Sequence, residues 1–98
     1  MPSYRVALSV GTLRPGSRPD ELLPRASEAA SELTTVEARD VMVLRGEPRL
    51  VVRYTAPDDD VAVAVGAVVE ATVGDLADVL RGEVLRRDGG AWTLVAPV

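Results

Sequence analysis

At 98 residues and a net charge of −4, the chain is sized for one domain over residues 1–98 and has no overall positive surplus for general nucleic-acid binding. Cysteine and histidine are both absent, which excludes disulfides, thiolate nucleophiles and the commonest general base. No uncharged apolar run approaches the roughly 18 residues of a membrane span. MPSYRVALSVG lacks the basic start and long apolar core of a signal peptide, so a cytoplasmic location is expected.

Residues 4–13 alternate. Tyr4, Val6, Leu8 and Val10 share one side and Arg5, Ala7, Ser9 and Gly11 the other, the pattern of a half-buried strand. RPGSRP at residues 14–19 is a loop. Residues 20–33 follow as an amphipathic helix with Leu22, Ala26, Ala29 and Leu33 on its apolar stripe and Pro24 in its first turn. A charged strand over 36–44 carries Glu37, Arg39 and Asp40. After a turn at 45–48, a third strand over 49–55 sets Leu50, Val52 and Tyr54 against Arg49, Val51 and Arg53.

The chain then turns sharply apolar at PDDDVAVAVGAVVEATVG, residues 57–74. Its length favours a helix over a strand, capped by Asp58, with Asp59 and Asp60 at the positive end of the dipole and Gly74 as the stop. Val61, Val65, Val68, Thr72 and Leu76 fall on one face. A helix this apolar needs a sheet beneath it. Short strands over 81–87 and 91–95, joined through Asp88-Gly89-Gly90, make a closing hairpin, with 75–80 readable as loop, helix or strand.

The order β-α-β-β-α-β, with one extra terminal strand, resembles the ferredoxin-like α/β plait: an α+β domain in which two helices cover one face of an antiparallel sheet. The resemblance implies central first and third strands, with the charged second and fourth at the edges, where charge discourages stray pairing. TLRPGSRPDELL further resembles the strand–loop–helix opening of plait proteins of the dimeric α/β-barrel kind, which include cofactor-free oxygenases and ligand-sensing modules. That likeness implies a homodimer with a pocket between its sheets.

The inventory of reactive groups is short, and no catalytic residue, metal site or cofactor is assigned. The three aspartates at 58–60 point in different directions at a helix start, so they are read as cap and dipole complement. All basic residues are arginine, a bias attributed to GC-rich coding and given no functional weight. Arg14 and Arg18 flank a glycine before a helix N-terminus, a place where an anion is welcome. Arg53, Tyr54 and Trp92 have the chemistry to shape a pocket for a small anionic or aromatic ligand. Arg5, Ala7, Ser9 and Val51 on the open sheet face, with Trp92 and Leu94 on the uncharged last strand, are the candidate dimer interface. The expected function is a non-catalytic homodimeric interaction or small-ligand-binding module. The alternative is a cofactor-independent oxygenase or isomerase working in a dimer pocket. RNA binding ranks last, because the open face lacks the stacking aromatics it needs.

Overall fold

The computed structural model describes residues 1–98. The chain runs β1 (Ser3–Leu13), α1 (Pro19–Ser31), β2 (Val36–Leu44), β3 (Glu47–Thr55), α2 (Asp59–Gly74), β4 (Ala77–Asp88) and β5 (Ala91–Pro97). The five strands form one antiparallel sheet in the order β2-β3-β1-β4-β5. The domain is α+β, and no helix is long and apolar enough to cross a membrane.

Alternation decides what each face holds. Tyr4, Val6 and Leu8 of β1 join Val52 and Tyr54 of β3 and Val84 of β4 in the main core, against Leu22, Ala26, Ala29 and Ala30 of α1 and Ala62, Val65, Val69 and Val73 of α2. Both helices therefore cover one face. At the start of α2 the Asp58 carboxylate accepts the Val61 N–H at 2.9 Å, and Asp59 and Asp60 occupy the first turn. Asp59 also ties the helix to the sheet. It accepts the Tyr4 hydroxyl and an Arg86 N–H, each at 2.7 Å.

Several elements differ from the sequence expectation. β4 is not an edge: the expected extra strand, β5, lies along its outer side, so β1, β3 and β4 are interior. Its charges are tolerated because Glu83 and Arg86 both find ionic partners. β4 also takes up residues 77–80, the stretch that the sequence left open. The turn after β2 is tighter than expected. Arg45 and Gly46 both have positive φ, 51° and 78°, as a two-residue hairpin turn demands.

α2 is rotated about its axis. Val61 and Val68 are exposed, while Ala62, Gly66 and Val73 face inward. A helix apolar on every side carries no stripe for periodicity to find, and the smallest residues decided the facing. An added Cβ at Gly66 would lie 2.5 Å from a Val84 methyl, so the glycine lets the helix settle onto β4. Gly74 is the last helical residue and not a left-handed stop. α1 ends at Ser31, which leaves Leu33 outside the core. Pro24 lies inside α1, beyond its first turn, where it forgoes one helical hydrogen bond.

The two helical glycines make opposite predictions. Alanine is normally about 1 kcal/mol better than glycine in a helix. Gly66→Ala should nonetheless lower stability by roughly 1–2 kcal/mol, because it overpacks against a stiff valine. Gly74→Ala meets nothing within 4 Å and should raise stability by about 0.5–1 kcal/mol. Urea denaturation of the two variants reads both signs, and equal signs would contradict the seating of α2 on β4.

The Tyr4–Asp59–Arg86 cluster sets the pH response. Hydrogen bonds from Tyr4 and then Arg86 hold the Asp59 carboxyl below its ordinary 3.8, and hydrogen bonds from Arg86 and then Thr93 do the same for Asp88. These contributions are intact above pH 3.8 and are lost as pH falls through the depressed values. Burial, then the bond to Asp59, pushes the Tyr4 hydroxyl up from 10.0 to about 12. Its contribution is full below pH 10.0 and fades as pH rises toward about 12. Thermal melts from pH 2 to 12 should show a plateau with falls at those two ends, and Asp59→Asn should flatten the acid fall.

Candidate ligand hollow on the open sheet face

The face away from the helices carries the other residue of each pair: Arg5, Ala7 and Ser9 on β1, Arg49, Val51 and Arg53 on β3, and Glu83, Leu85 and Arg87 on β4. It holds a small apolar cluster of Ala7, Val51 and Leu85, with Met42, Leu44 and Trp92 against it, and a layer of paired charges over that cluster. Arg49 Nη1 donates to Glu83 Oε1 at 2.8 Å, joining β3 to β4 over the top of β1. Two strand spacings amount to about 10 Å, a gap that two long side chains close only over a low floor. Ala7 and Ser9 are that floor. Arg45 donates to the same Glu83 oxygen, Glu47 accepts from Arg49 at 3.4 Å, and Arg81 lies 3.8 Å from Glu47.

The candidate interface residues Ala7, Ser9 and Val51 are consequently buried by the chain's own side chains. Leu94 is 56% exposed on the edge strand β5. Trp92, also on β5 and paired in register with Arg87, turns its ring over the opposite end of the open face. There Arg5 lies 4.5 Å from the ring centroid, and Arg53 and Arg87 each lie 5.3 Å from it. Three guanidiniums around one indole gain cation–π attraction but repel one another.

Beside this cluster opens a hollow of about 270 Å³, with Arg5, Arg53, Trp92, Met42 and Val51 in its wall and Ala38, Arg39 and Asp40 completing it. Arg53 is partnered: its Nε donates to Glu37 at 3.2 Å. Asp40 accepts its neighbour's backbone N–H at 2.8 Å. Arg5 has no carboxylate partner. Its Nη1 meets only the Met42 sulfur at 3.9 Å, and its buried Nε has no acceptor at all. Burial, then the charge of Arg87, pulls the Arg5 guanidinium below its ordinary pKa. An incoming anion would relieve that cation.

The other sequence candidates lie elsewhere. Tyr54 is in the main core on the helix side, donating to the Ala62 carbonyl at 2.7 Å. Arg14 caps the C-terminal end of α2, with Nε and Nη2 on the Gly74 carbonyl at 3.3 and 3.1 Å and Nη1 on Asp78 at 2.6 Å. Arg18 pairs with Asp20 at 2.9 Å. Both loop guanidiniums are thus engaged within the chain. A larger depression of about 380 Å³ beside Ser9, Pro48 and Leu80 has Glu47 and Arg81 in its wall, and they face each other. No cluster of three or more acidic side chains is gathered as a metal site would need.

Of the hollow's residues, sequence reasoning named Arg53 and Trp92 as ligand groups, and Arg5 and Val51 as interface. It missed Ala38, Arg39, Asp40 and Met42. Opposite charges at alternating positions, Arg49 and Glu83, were visible as a signal for the ion pair, but only the strand register brings them together. Comparison with protein-family models, curated proteins and solved structures finds no match to this chain.

Glu83 is the keystone of the charged layer, and its removal leaves the Arg49 guanidinium buried with only a long contact to Glu47. Glu83→Ala should therefore cost roughly 3–5 kcal/mol. Arg45→Ala, from an exposed position, should cost no more than about 1 kcal/mol. Chemical denaturation checks the difference, and similar small losses would mean that the layer contributes little.

Proposed function

We propose that this chain is a ferredoxin-like plait domain with one added strand, acting as a non-catalytic module that binds a small anionic ligand in the hollow at Arg5. The observation that carries the reading is Arg5 itself. It is a partly buried cation without a carboxylate, lying over the only tryptophan of the chain at the wall of an open cavity. The plait is supported by the strand order: without β5, β3 and β1 are central and β4 and β2 flank them.

Binding is favoured over turnover by the groups present. The hollow holds no hydroxyl, thiol, amine or imidazole side chain, and its one carboxylate, Asp40, accepts a backbone N–H through one oxygen. Both tyrosine hydroxyls are donated elsewhere and are held protonated, mainly by burial. Self-association is retained for the β5 edge alone. That strand is uncharged and presents an exposed Leu94, while the open face no longer needs a partner to cover Ala7 and Val51.

The sole tryptophan makes the test direct. Benzoate, hexanoate, citrate and inorganic phosphate are titrated separately while Trp92 emission and melting temperature are followed. At least one should shift the emission and raise the melting temperature by several degrees at saturation. Arg5→Met, which keeps an apolar stem, should abolish the response, and Arg18→Ala should leave it intact. No response to any of the four, or an undiminished one in Arg5→Met, would overturn the reading.

A further inference from the structure

Charge and surface in the hollow together narrow the ligand, an inference that rests on the binding reading above. Arg5 and Arg53 contribute guanidiniums to the wall, and Arg87 lies against the same Trp92 ring, while Arg39 is paired with core-facing Val52. Arg53 is answered by Glu37, which also accepts the Ser3 hydroxyl at 2.7 Å, and Asp40 stands in the wall as a second negative charge. Arg5 is the partly buried guanidinium here that no carboxylate answers. A guanidinium stacked on an aromatic face keeps the donors along its edge free, and these form a planar fork matched to a carboxylate. The thioether now beside Nη1 is a weak acceptor that a carboxylate oxygen outcompetes.

The rest of the wall asks for something different. Ala38, Met42, Val51 and the Trp92 ring are apolar, so half of the lining residues offer no side-chain hydrogen bond beyond the indole N–H and the weakly accepting Met42 sulfur. A ligand charged over its whole surface would leave that side unmatched.

We propose that the hollow selects an apolar monocarboxylate, seated with its carboxylate on Arg5 and its body against Trp92, Met42 and Val51. Asp40 supplies the rejection. A second negative charge on the ligand has to face that carboxylate, so di- and trianions are discriminated against by repulsion as well as by the apolar wall.

Benzoate, citrate, inorganic phosphate and uncharged benzamide are titrated against the full chain with Trp92 emission as readout, in the wild type and in Asp40→Asn. Benzoate should bind at least tenfold tighter than citrate, phosphate or benzamide. In Asp40→Asn the preference over citrate should shrink at least threefold through a gain in citrate affinity, with benzoate nearly unchanged. Tighter Arg5-dependent binding of citrate or phosphate would overturn the ligand class while leaving the binding module standing. Equal binding of benzamide would overturn the role of the carboxylate. Silence from all four probes, and from hexanoate as well, would bring down the binding reading itself. An Asp40→Asn chain with unaltered selectivity would remove Asp40 as the discriminating group.

Discussion

A guanidinium–carboxylate bridge thrown across the middle strand closes the second face of this sheet. A sheet with helices on one side only must solvate its other face or cover it. Here Arg49 and Glu83 reach toward each other from β3 and β4 and meet above β1. Ions placed out of water lose hydration that their mutual attraction barely restores, so geometry has to compensate. It does so with three further charges: Arg45, Glu47 and Arg81 extend the pair into a network whose rim stays wet. The small residues Ala7 and Ser9 follow from the bridge. A larger side chain at either place would lift the pair off the sheet and separate its ends.

The same constraint explains why the face is uneven along its length. At the end near the β2–β3 turn every buried cation meets a carboxylate. Toward the other end the acids run out, and Arg5 is neutralised by nothing stronger than an indole face and a sulfur. A stacked ring offsets only part of what burial costs a cation. The fold thus holds one charge in a poorly satisfied state beside an empty space, and that residual imbalance is what a ligand can use. The loop arginines show the opposite condition. Arg14 and Arg18 sit where exposed helix ends favour ions, yet each is already consumed by the chain, one as a helix cap and one by a neighbouring aspartate. A cation's position in sequence says where an anion would be welcome. Its partners decide whether any is needed.

Much of the architecture was legible because it depends on period. The alternation of Tyr4, Val6 and Leu8, the Asp58 cap and the Asp88-Gly89-Gly90 hairpin are local signals, and each element stands within a few residues of where its pattern lies. What escaped depends on partners. The facing of α2 was unreadable because its valines surround the axis, so the choice fell to Gly66 and its fit against Val84. The interior place of β4 was hidden by its charges, which look like edge protection until Glu83 and Arg86 are seen to be paired. Half of the hollow lies on β2. Its residues look like those of an ordinary exposed edge, and only register with β3 brings Ala38 beside Arg53 and Met42 beside Arg49. The small residues of β1 were read as a surface awaiting a second copy, when they were making room for the chain's own arginine.

Every basic residue of the chain is arginine, and the structure uses what distinguishes that side chain from lysine. At the end of α2, Arg14 offers two N–H groups to one carbonyl and a third to Asp78, a fork that an ammonium does not reproduce. Arg86 divides its donors between Asp59 and both oxygens of Asp88, joining the start of α2 to the closing hairpin. Arg5 depends on planarity most of all, because a flat, weakly hydrated cation can lie on Trp92 and still present its edge. A lysine there would hold its charge as a hydrated point, drawn out of the hollow toward water. Arg5 is thus the partly buried guanidinium of this face that rests on the indole and is answered by no carboxylate.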